Sequence, residues 1–491
     1  MATVNRLDVR GKRVTVAGAA RSGIAAAEFL VSRGARVTVS DIRPDVEARP
    51  QLEARGIEIE LGGHQIATFV DADLVVLSPG VPPELPVLAA ARSHGVPVLG
   101  EVEFASRFLP GRVIAITGTK GKSTTTALTG RMLGEAGFDV TVGGNIGAPL
   151  SAQIDGSTEA TLHVVETSSF QLEQIETFHP WIAVMLNFSP DHLDRHETVE
   201  AYAAAKARIF ENQTSDDWAV VNADDPTVLR MAEAGRAALR TFSRHVLLAD
   251  GTSVDNGWLV SRSGRGAEPL VPLTAVHLLG PHLVDDVLAA ATVAWLVGVP
   301  SSAMTRAVDG FRGLEHAMEL VASLRGVRFV NDSKATNVEA ALRSIESFDR
   351  GLVPILGGRF KGGDLRLLRV PIAARAKAVV TIGEAADRVV DALAGAVPVR
   401  RASSLGEAVD AAFELAQPDG VVLLAPACAS FDMFRDYAER GRRFKDEVAR
   451  VVRSSGEQSS ADPGDEGSAA GNAGCPGLRG RCLRPGSADD C

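Results

Sequence analysis

The sequence predicts an α/β protein made of three domains in series, followed by a tail without fixed structure, and three observations carry that prediction. Short apolar runs ending in Gly, Pro or Asp alternate with helical segments along almost the whole chain, as the βαβ units of parallel sheets require. A length of 491 residues suggests about three domains at roughly 150 residues each, every one large enough to bury a core. After Ser454 the chain turns to Gly, Ser, Ala, Asp and Pro with almost no large apolar residue, so it cannot offset the entropy lost on ordering.

In residues 1–108, "RVTVAGAARSG", "IAAAEFLVSRG" and "ARVTVSD" read strand, glycine-rich turn, helix, strand, and "ADLVVLSPG" and "VPVLG" continue the sheet. A second series over residues 109–312 runs through "GRVIAITG", "LHVVETSSF", "WIAVMLNFS" and "WAVVNADDP". The alternation and Asp-Asn-Gly turn of "LLADGTSVDNGWLVSR" add a small antiparallel patch. The third series, 313–454, has strand ends at "VRFVNDSKATN", "LVPILGGRFKGG", "KAVVTIG" and "GVVLLAPACAS" and closes with the helix "FRDYAERGRRFKDEVARVV". Residues 455–491 form the tail.

Hydrophobic content of 45%, charged content of 23% and a net charge of -10 describe a soluble protein and argue against nucleic acid or an anionic membrane surface as partner. No apolar signal core stands in "MATVNRLDVRGKRV" and no apolar run nears the roughly 18 residues of a membrane helix, so a cytoplasmic protein is expected. Cys428 alone lies in the body of the chain. Cys475, Cys482 and Cys491 have spacings that match no zinc module.

Four regions carry chemistry. Gly18-x-Ala20-x-x-Gly23, with Asp41 ending the next strand, approximates a dinucleotide-binding turn. It either holds a pyrophosphate on helix N–H groups or only connects strand and helix, and Ser78, Pro79 and Gly80 end another strand at the same edge. The stretch "AITGTKGKSTTT" places Gly118, Gly121, Lys122 and Ser123 between strand and helix in the order of a phosphate loop, although Ile116 stands where the usual loop has a glycine. Its N–H groups would cradle phosphate, with Lys122 neutralising charge and Ser123 offering a Mg²⁺ ligand.

Glu166 ends the strand "LHVVE", facing the crevice as a metal ligand or serving as an ordinary acid. "NFSPDHLDRH" gathers Asp191, His192, Asp194 and His196, either beside a nucleotide's Mg²⁺ or as a polar loop in which Asp191 or Asp194 caps the next helix. Lys206, in "AYAAAKARIF", is by default solvated. In the third domain Lys334 and Lys361 follow strands and would attract a dicarboxylate or a phosphate, unless they are only surface lysines. Ser430 is a candidate helix N-cap, and Cys428 is a small buried residue, with no histidine near it in sequence to activate it.

Together "TGTKGKSTTT", "GGNIG", "ETSSFQLE", "NFSPDHLDRH", "AAKARIF", "NDSKATN" and "APACASFDMFRDYAERGRRF" resemble the Mur ligases of peptidoglycan synthesis, in order, over almost all of residues 10–452. The "ACASFDMF" to "ERG" ending resembles the glutamate-adding branch. The resemblance implies a Rossmann-like UDP-binding domain, a central P-loop ATPase-type domain and a C-terminal Rossmann-like domain that closes over the amino acid. It implies a ligase in which ATP phosphorylates the carboxylate of UDP-N-acetylmuramoyl-L-alanine and the amine of D-glutamate attacks the acyl phosphate, in a cytoplasmic monomer active in cell-wall growth and cell division.

By matching motif, the resemblance assigns Gly118, Thr119, Lys120, Gly121, Lys122, Ser123 and Thr124 to ATP, with Asp332 and Lys334 contacting the same nucleotide. Two Mg²⁺ ions would be held by Ser123, Glu166, His192 and Lys206, the lysine carboxylated on Nζ, and Lys122, His192 and Lys206 would form the reacting centre. Arg21, Ser22, Asp41, Gly80 and Asn145 would meet the UDP substrate, and Thr336, Lys361, Ser430 and Tyr437 would surround D-glutamate. Four positions depart from the family pattern. Leu283 and Asp286 replace asparagines expected near the adenine, Ala317 replaces an arginine, and Lys120 stands where asparagine is more usual. Two other readings compete: a ligase of the same superfamily acting on another acceptor, such as a folate polyglutamate ligase, and an NAD-dependent oxidoreductase built on Gly18 to Asp41, which leaves residues 111–452 unexplained.

Overall fold

A computed structural model describes residues 7–191, 195–277 and 283–456. The tail beyond Gly456, and with it the expectation that it is structureless, lies outside the described residues, as do His192, Asp194 and His282.

The first sheet is entirely parallel. β1 (Arg13–Ala17), β2 (Arg36–Asp41), β3 (Glu58–Leu61), β4 (Leu74–Leu77) and β5 (Val98–Gly100) lie in the order β3-β2-β1-β4-β5. The strand order reverses at β1, and ligands of open α/β sheets bind at such a point, outside the carboxyl ends of the strands. Gly18 and Ser78 follow β1 and β4 there, and Asp41 ends β2. Gly23 is required by close approach, since a Cβ on it would come within 1.9 Å of the Gly18 carbonyl oxygen.

The second sheet contains β6 (Arg112–Thr117), β7 (Val140–Gly144), β8 (Leu162–Glu166), β9 (Ile182–Met185), β10 (Trp218–Asn222), β11 (Ala238–Ser243), β12 (Gly251–Asp255), β13 (Trp258–Ser263) and β14 (Gly266–Pro272). Their order is β14-β13-β12-β11-β10-β9-β6-β8-β7, parallel except for the β12-β13-β14 meander that the Asp-Asn-Gly turn predicts. β8 and β9, buried on both faces, read as unbroken apolar runs apart from His163 and Glu166. One face of the sheet packs on the helices Lys122–Glu135, Leu283–Val297 and Ser301–Asp309. On the other face a single apolar cluster runs from Val14 and Leu30 through Phe104 to Ala115 and Val221, so the first two sheets share a core.

That junction is also tied by polar groups. Glu103, fully buried, accepts the N–H groups of Glu176, Thr177 and Phe178 at 2.8, 3.0 and 2.8 Å and the guanidinium of Arg107 at 2.7 Å. Glu101 accepts from both the amide and the hydroxyl of Ser151, at 2.7 and 2.6 Å.

The third sheet comprises β15 (Glu319–Leu324), β16 (Val327–Asn331), β17 (Leu352–Gly357), β18 (Val379–Ile382), β19 (Val399–Arg401) and β20 (Val421–Leu424), in the order β15-β16-β20-β17-β18-β19. β15 pairs antiparallel with β16 across a turn at Arg325 and Gly326, both at positive φ, and adds an edge strand that the sequence reading lacks. The last helix spans Tyr437–Ser454, capped by the Asp436 side chain on the amide of Glu439 at 2.7 Å. This corrects the N-cap expected at Ser430. Its carbonyl instead accepts the amides of Met433 and Phe434 in a turn, and the chain needs the intervening residues to cross from β20 to the helix.

Candidate functional site

A cleft of about 410 Å³ opens where the first sheet meets the second. Arg21, Ser22, Asp41 and Gly80 line it from the first sheet, and Asn145 lines it from the loop after β7. Ser78 closes its floor, donating to the Gly18 carbonyl at 3.0 Å. Asp41 accepts the Ala19 amide at 2.7 Å and a two-pronged contact from Arg43 at 2.9 and 2.8 Å. The guanidinium of Arg43 holds the Asp41 carboxyl well below the usual carboxylate range. Arg43, which also lines the cleft, is a residue the sequence reading missed. Its signal was there, two positions beyond Asp41 at the end of β2.

The phosphate loop follows β6. Gly118 and Gly121 have φ of 152° and 81°, which a side chain would strain, and a Cβ on Gly121 would strike Asp286 Oδ1 at 2.0 Å. Lys122 Nζ turns back into the loop, donating to the carbonyls of Gly118 and Thr119 at 2.9 and 3.0 Å. Burial pushes this ammonium below its ordinary range, against the opposing pull of the Glu166 and Asp191 carboxylates. Asn187, beyond β9, clamps the loop from outside by bonding the amide and the carbonyl of Lys120 at 2.9 and 3.1 Å. Thr119 is held by Ser189, and Thr124 sits in the first turn of the helix Lys122–Glu135.

Glu166 joins the loop to the cleft. Its Oε2 accepts from Ser123 Oγ at 2.6 Å and its Oε1 from Asn145 Nδ2 at 2.8 Å. Ser123 and Glu166 therefore present oxygens to one point, the donor set that Mg²⁺ takes while it keeps waters and substrate phosphates as further ligands. Among the described residues no group of three or more His, Cys, Asp or Glu side chains forms a metal cage. His196, one of the four polar residues read from its loop, turns instead to Ser169 at 2.9 Å and Glu173 at 3.1 Å. The helix Val199–Ala207 is capped by Thr198 and not by Asp191.

Lys206 overturns its default reading. It is 1% exposed, and its Nζ donates to the Gly118 carbonyl at 2.8 Å. Burial, reinforced by the Lys122 charge, pushes its pKa down to about 6, so the amine is largely neutral at physiological pH. A neutral amine can add CO₂, and it lies on the same loop carbonyl as Lys122.

On the third sheet, the loops after β16, β17 and β20 carry Asp332, Lys334 and Thr336, then Lys361, then Ser430. Asp332 is buried, bonded by Ser344 and by the Met318 amide at 3.2 Å, and burial raises its pKa. Lys334 and Lys361 are exposed, the latter over the Phe431 ring at 5.0 Å. Arg440 staples these loops from the helix Tyr437–Ser454. It donates to Ser333 Oγ and the Ser333 carbonyl at 2.9 Å each and to the Cys428 carbonyl at 3.1 Å, and the Tyr437 carbonyl accepts from Ser333 at 2.7 Å. Arg440 was invisible in the sequence because its helix is strongly charged throughout. The Cys428 thiol is buried and pushed up to about 11, which fits the inert reading.

Two of the departures now have surroundings. Leu283 is buried, and Asp286 lies against Gly121, its buried Oδ2 without a hydrogen-bond partner among the described residues. Nothing in the structure explains Ala317.

Comparison with known proteins follows the same three parts. A model described as the MurD-like N-terminal domain of Mur ligases matches residues 12–100, one for the Mur ligase middle domain matches 116–294, and one for the Mur ligase glutamate ligase domain matches 318–428. The chain is 50% identical over 448 residues to a protein of Acidobacterium capsulatum named UDP-N-acetylmuramoylalanine--D-glutamate ligase, covering 90% of this chain and 97% of that one. It is 46% identical over 449 residues to the Koribacter versatilis protein of the same name, covering 91% and 99%. Among solved structures, UDP-N-acetylmuramate-alanine ligase from Thermotoga maritima superposes with a TM-score of 0.54 at 20% identity, covering 90% of this chain and 99% of that one, a likeness of fold.

Proposed function

The chain belongs to the Mur ligase family, and from that premise we propose that it is an ATP-dependent ligase that adds D-glutamate to UDP-N-acetylmuramoyl-L-alanine. The observation that carries this reading is the line Asn145–Glu166–Ser123, which couples the cleft of the first sheet to the phosphate loop. A carboxylate presented from the cleft would meet a γ-phosphate held by Lys122. Its oxygen attacks phosphorus and ADP leaves. The amine of D-glutamate, having lost a proton, then attacks the acyl carbon, and phosphate leaves with the oxygen that the carboxylate could not release by itself. No membrane-crossing helix is present among the described residues. A cytoplasmic monomer is part of the proposal, as is its division at residues 108 and 312.

In this reading Arg21, Ser22, Asp41 and Gly80 bind the UDP portion, Asp332 and Lys334 the nucleotide, and Thr336, Lys361, Ser430 and Tyr437 the two carboxylates of D-glutamate. Ser123 and Glu166 would hold one Mg²⁺, and a carboxylated Lys206 with His192 a second. Bound there, magnesium would neutralise charge developing on the transferring phosphoryl group. The neutral amine of Lys206 supports the carboxylation, because an ammonium could not attack CO₂.

The test incubates the purified protein with ATP, Mg²⁺ and UDP-N-acetylmuramoyl-L-alanine and measures phosphate release with D-glutamate, L-glutamate or other amino acids. Release is expected to depend on D-glutamate. If D-glutamate gives no more release than buffer, the proposal fails.

A further inference from the structure

The helix that carries Lys206, Val199–Ala207, is fixed at both ends. Thr198 caps its start by accepting the Ala201 amide at 3.1 Å. Its last turn runs on into Arg208, Ile209 and Phe210, and the two apolar side chains are buried in the core shared by the first two sheets. Residues two apart on a helix point about 200° from one another, so Lys206 and Arg208 leave on nearly opposite sides. Lys206 Nζ reaches the Gly118 carbonyl of the phosphate loop at 2.8 Å. Arg208 reaches the carbonyls of Glu173 and Ile175, through Nη1 and Nη2 at 2.6 Å each, while its Nε donates to Glu211 at 2.6 Å.

Those carbonyls lie just past the short helix Ser169–Leu172, where no further turn supplies donors. The segment they belong to is gripped along its length. Glu103 of the first domain accepts the amides of Glu176, Thr177 and Phe178, and Asn212 donates to the carbonyls of Glu176 and Phe178 at 3.0 and 3.1 Å. Residues 173–178 are thus a wall tied to the first domain, and the Lys206 helix lies between that wall and the phosphate loop. A lysine amine on a flexible four-carbon stem has no fixed place of its own, whereas a planar guanidinium that meets two carbonyls at once is held in one geometry. The place of Nζ therefore depends on how firmly its helix is braced from behind.

We propose that Arg208 is a positioning residue, which seats Lys206 at the phosphate loop by bracing the other side of its helix on the carbonyls of Glu173 and Ile175. The inference rests on the ligase reading, in which Lys206 belongs to the reacting centre. Asn212 grips the same wall but follows the helix and its last turn, so it steadies the wall without setting Lys206.

That difference supplies the test. Arg208→Gln should lower kcat for phosphate release at least about tenfold, since a misplacement of about 1 Å costs on the order of a hundredfold, and should leave the KM for ATP and for the UDP substrate unchanged. Arg208→Lys, which keeps the charge but not the fork, should fold and fall between Arg208→Gln and wild type. Asn212→Ala, which also removes two bonds to the wall, should lower the thermal midpoint while kcat stays as in wild type. Acylation by acetic anhydride in CO₂-free buffer, read by mass spectrometry, follows Lys206 directly. Its labelling should be slow in wild type and Asn212→Ala and several-fold faster in Arg208→Gln, with exposed Lys361 labelled equally in all. An unchanged kcat in Arg208→Gln, an equal loss of kcat in Asn212→Ala, or unchanged acylation of Lys206 would overturn the proposal. The two readings fail separately. Wild-type protein that releases no phosphate with D-glutamate refutes the ligase reading, while acylation of Lys206 still decides whether Arg208 seats it.

Discussion

Asp286→Asn isolates one buried charge decision at the phosphate loop. Asp286 is 4% exposed, its Oδ1 lies against Gly121, and its Oδ2 has no hydrogen-bond partner among the described residues. Burial first, and the neighbouring Asp285 second, raise its pKa well above the ordinary value of 3.8, so the native carboxyl keeps its proton to a higher pH than the unfolded chain does. The unfolded chain releases that proton above about pH 4. Stability is therefore lost with rising pH, by about 1.4 kcal/mol per unit, until the native pKa is reached. Asparagine fills the same space, also pairs a donor with an acceptor, and does not titrate.

The expected result is a stabilising substitution whose benefit is near zero at about pH 4 and grows as pH rises from there toward the native pKa, with turnover retained. Urea unfolding of the two proteins at each pH, followed by tryptophan fluorescence, measures the difference. A benefit that does not vary with pH would mean that Asp286 is ionised in the native state, and the account of its burial would be wrong.

Three other perturbations follow from the geometry. Lys206→Ala should nearly abolish turnover without recovery in added bicarbonate, and near-normal activity in the phosphate-release assay would sink the carboxylated-lysine assignment. Glu103→Ala would leave the amides of residues 176–178 without their acceptor and should cost roughly 3 kcal/mol or more at pH 7 by denaturant unfolding. Burial alone would raise the Glu103 pKa, but the Glu176 amide, the Thr177 hydroxyl and the Arg107 guanidinium together more than reverse it. The native value is thus depressed, so the contribution is present above about pH 4.5 and lost as pH falls through the native pKa. Gly23→Ala would press a methyl group onto the Gly18 carbonyl at 1.9 Å, so UDP-substrate binding by calorimetry should fall at least tenfold while ATP binding persists.

What could be read from the chain and what could not divide along a physical line. Gly18, Ser78, Gly118, Glu166, Asn331 and Leu424 mark the carboxyl ends of parallel strands, where the backbone must turn sharply and ligands gather, so local composition betrays them. β15 was missed because it is an edge strand whose turn, Arg325-Gly326, carries only one conventional turn residue. Ser430 misled because a serine after a strand resembles a helix cap, and only the path of the chain shows that Asp436 performs that role.

Lys206 is the sharpest case. Its helix is an ordinary alanine-rich one, and no spacing within it distinguishes this lysine from a solvated one. Its depressed pKa arises where that helix lays the side chain against the Gly118 carbonyl, 88 residues earlier in the sequence, and beside a second lysine from the same loop. The amine is neutral because two distant segments exclude water together, so the property belongs to neither.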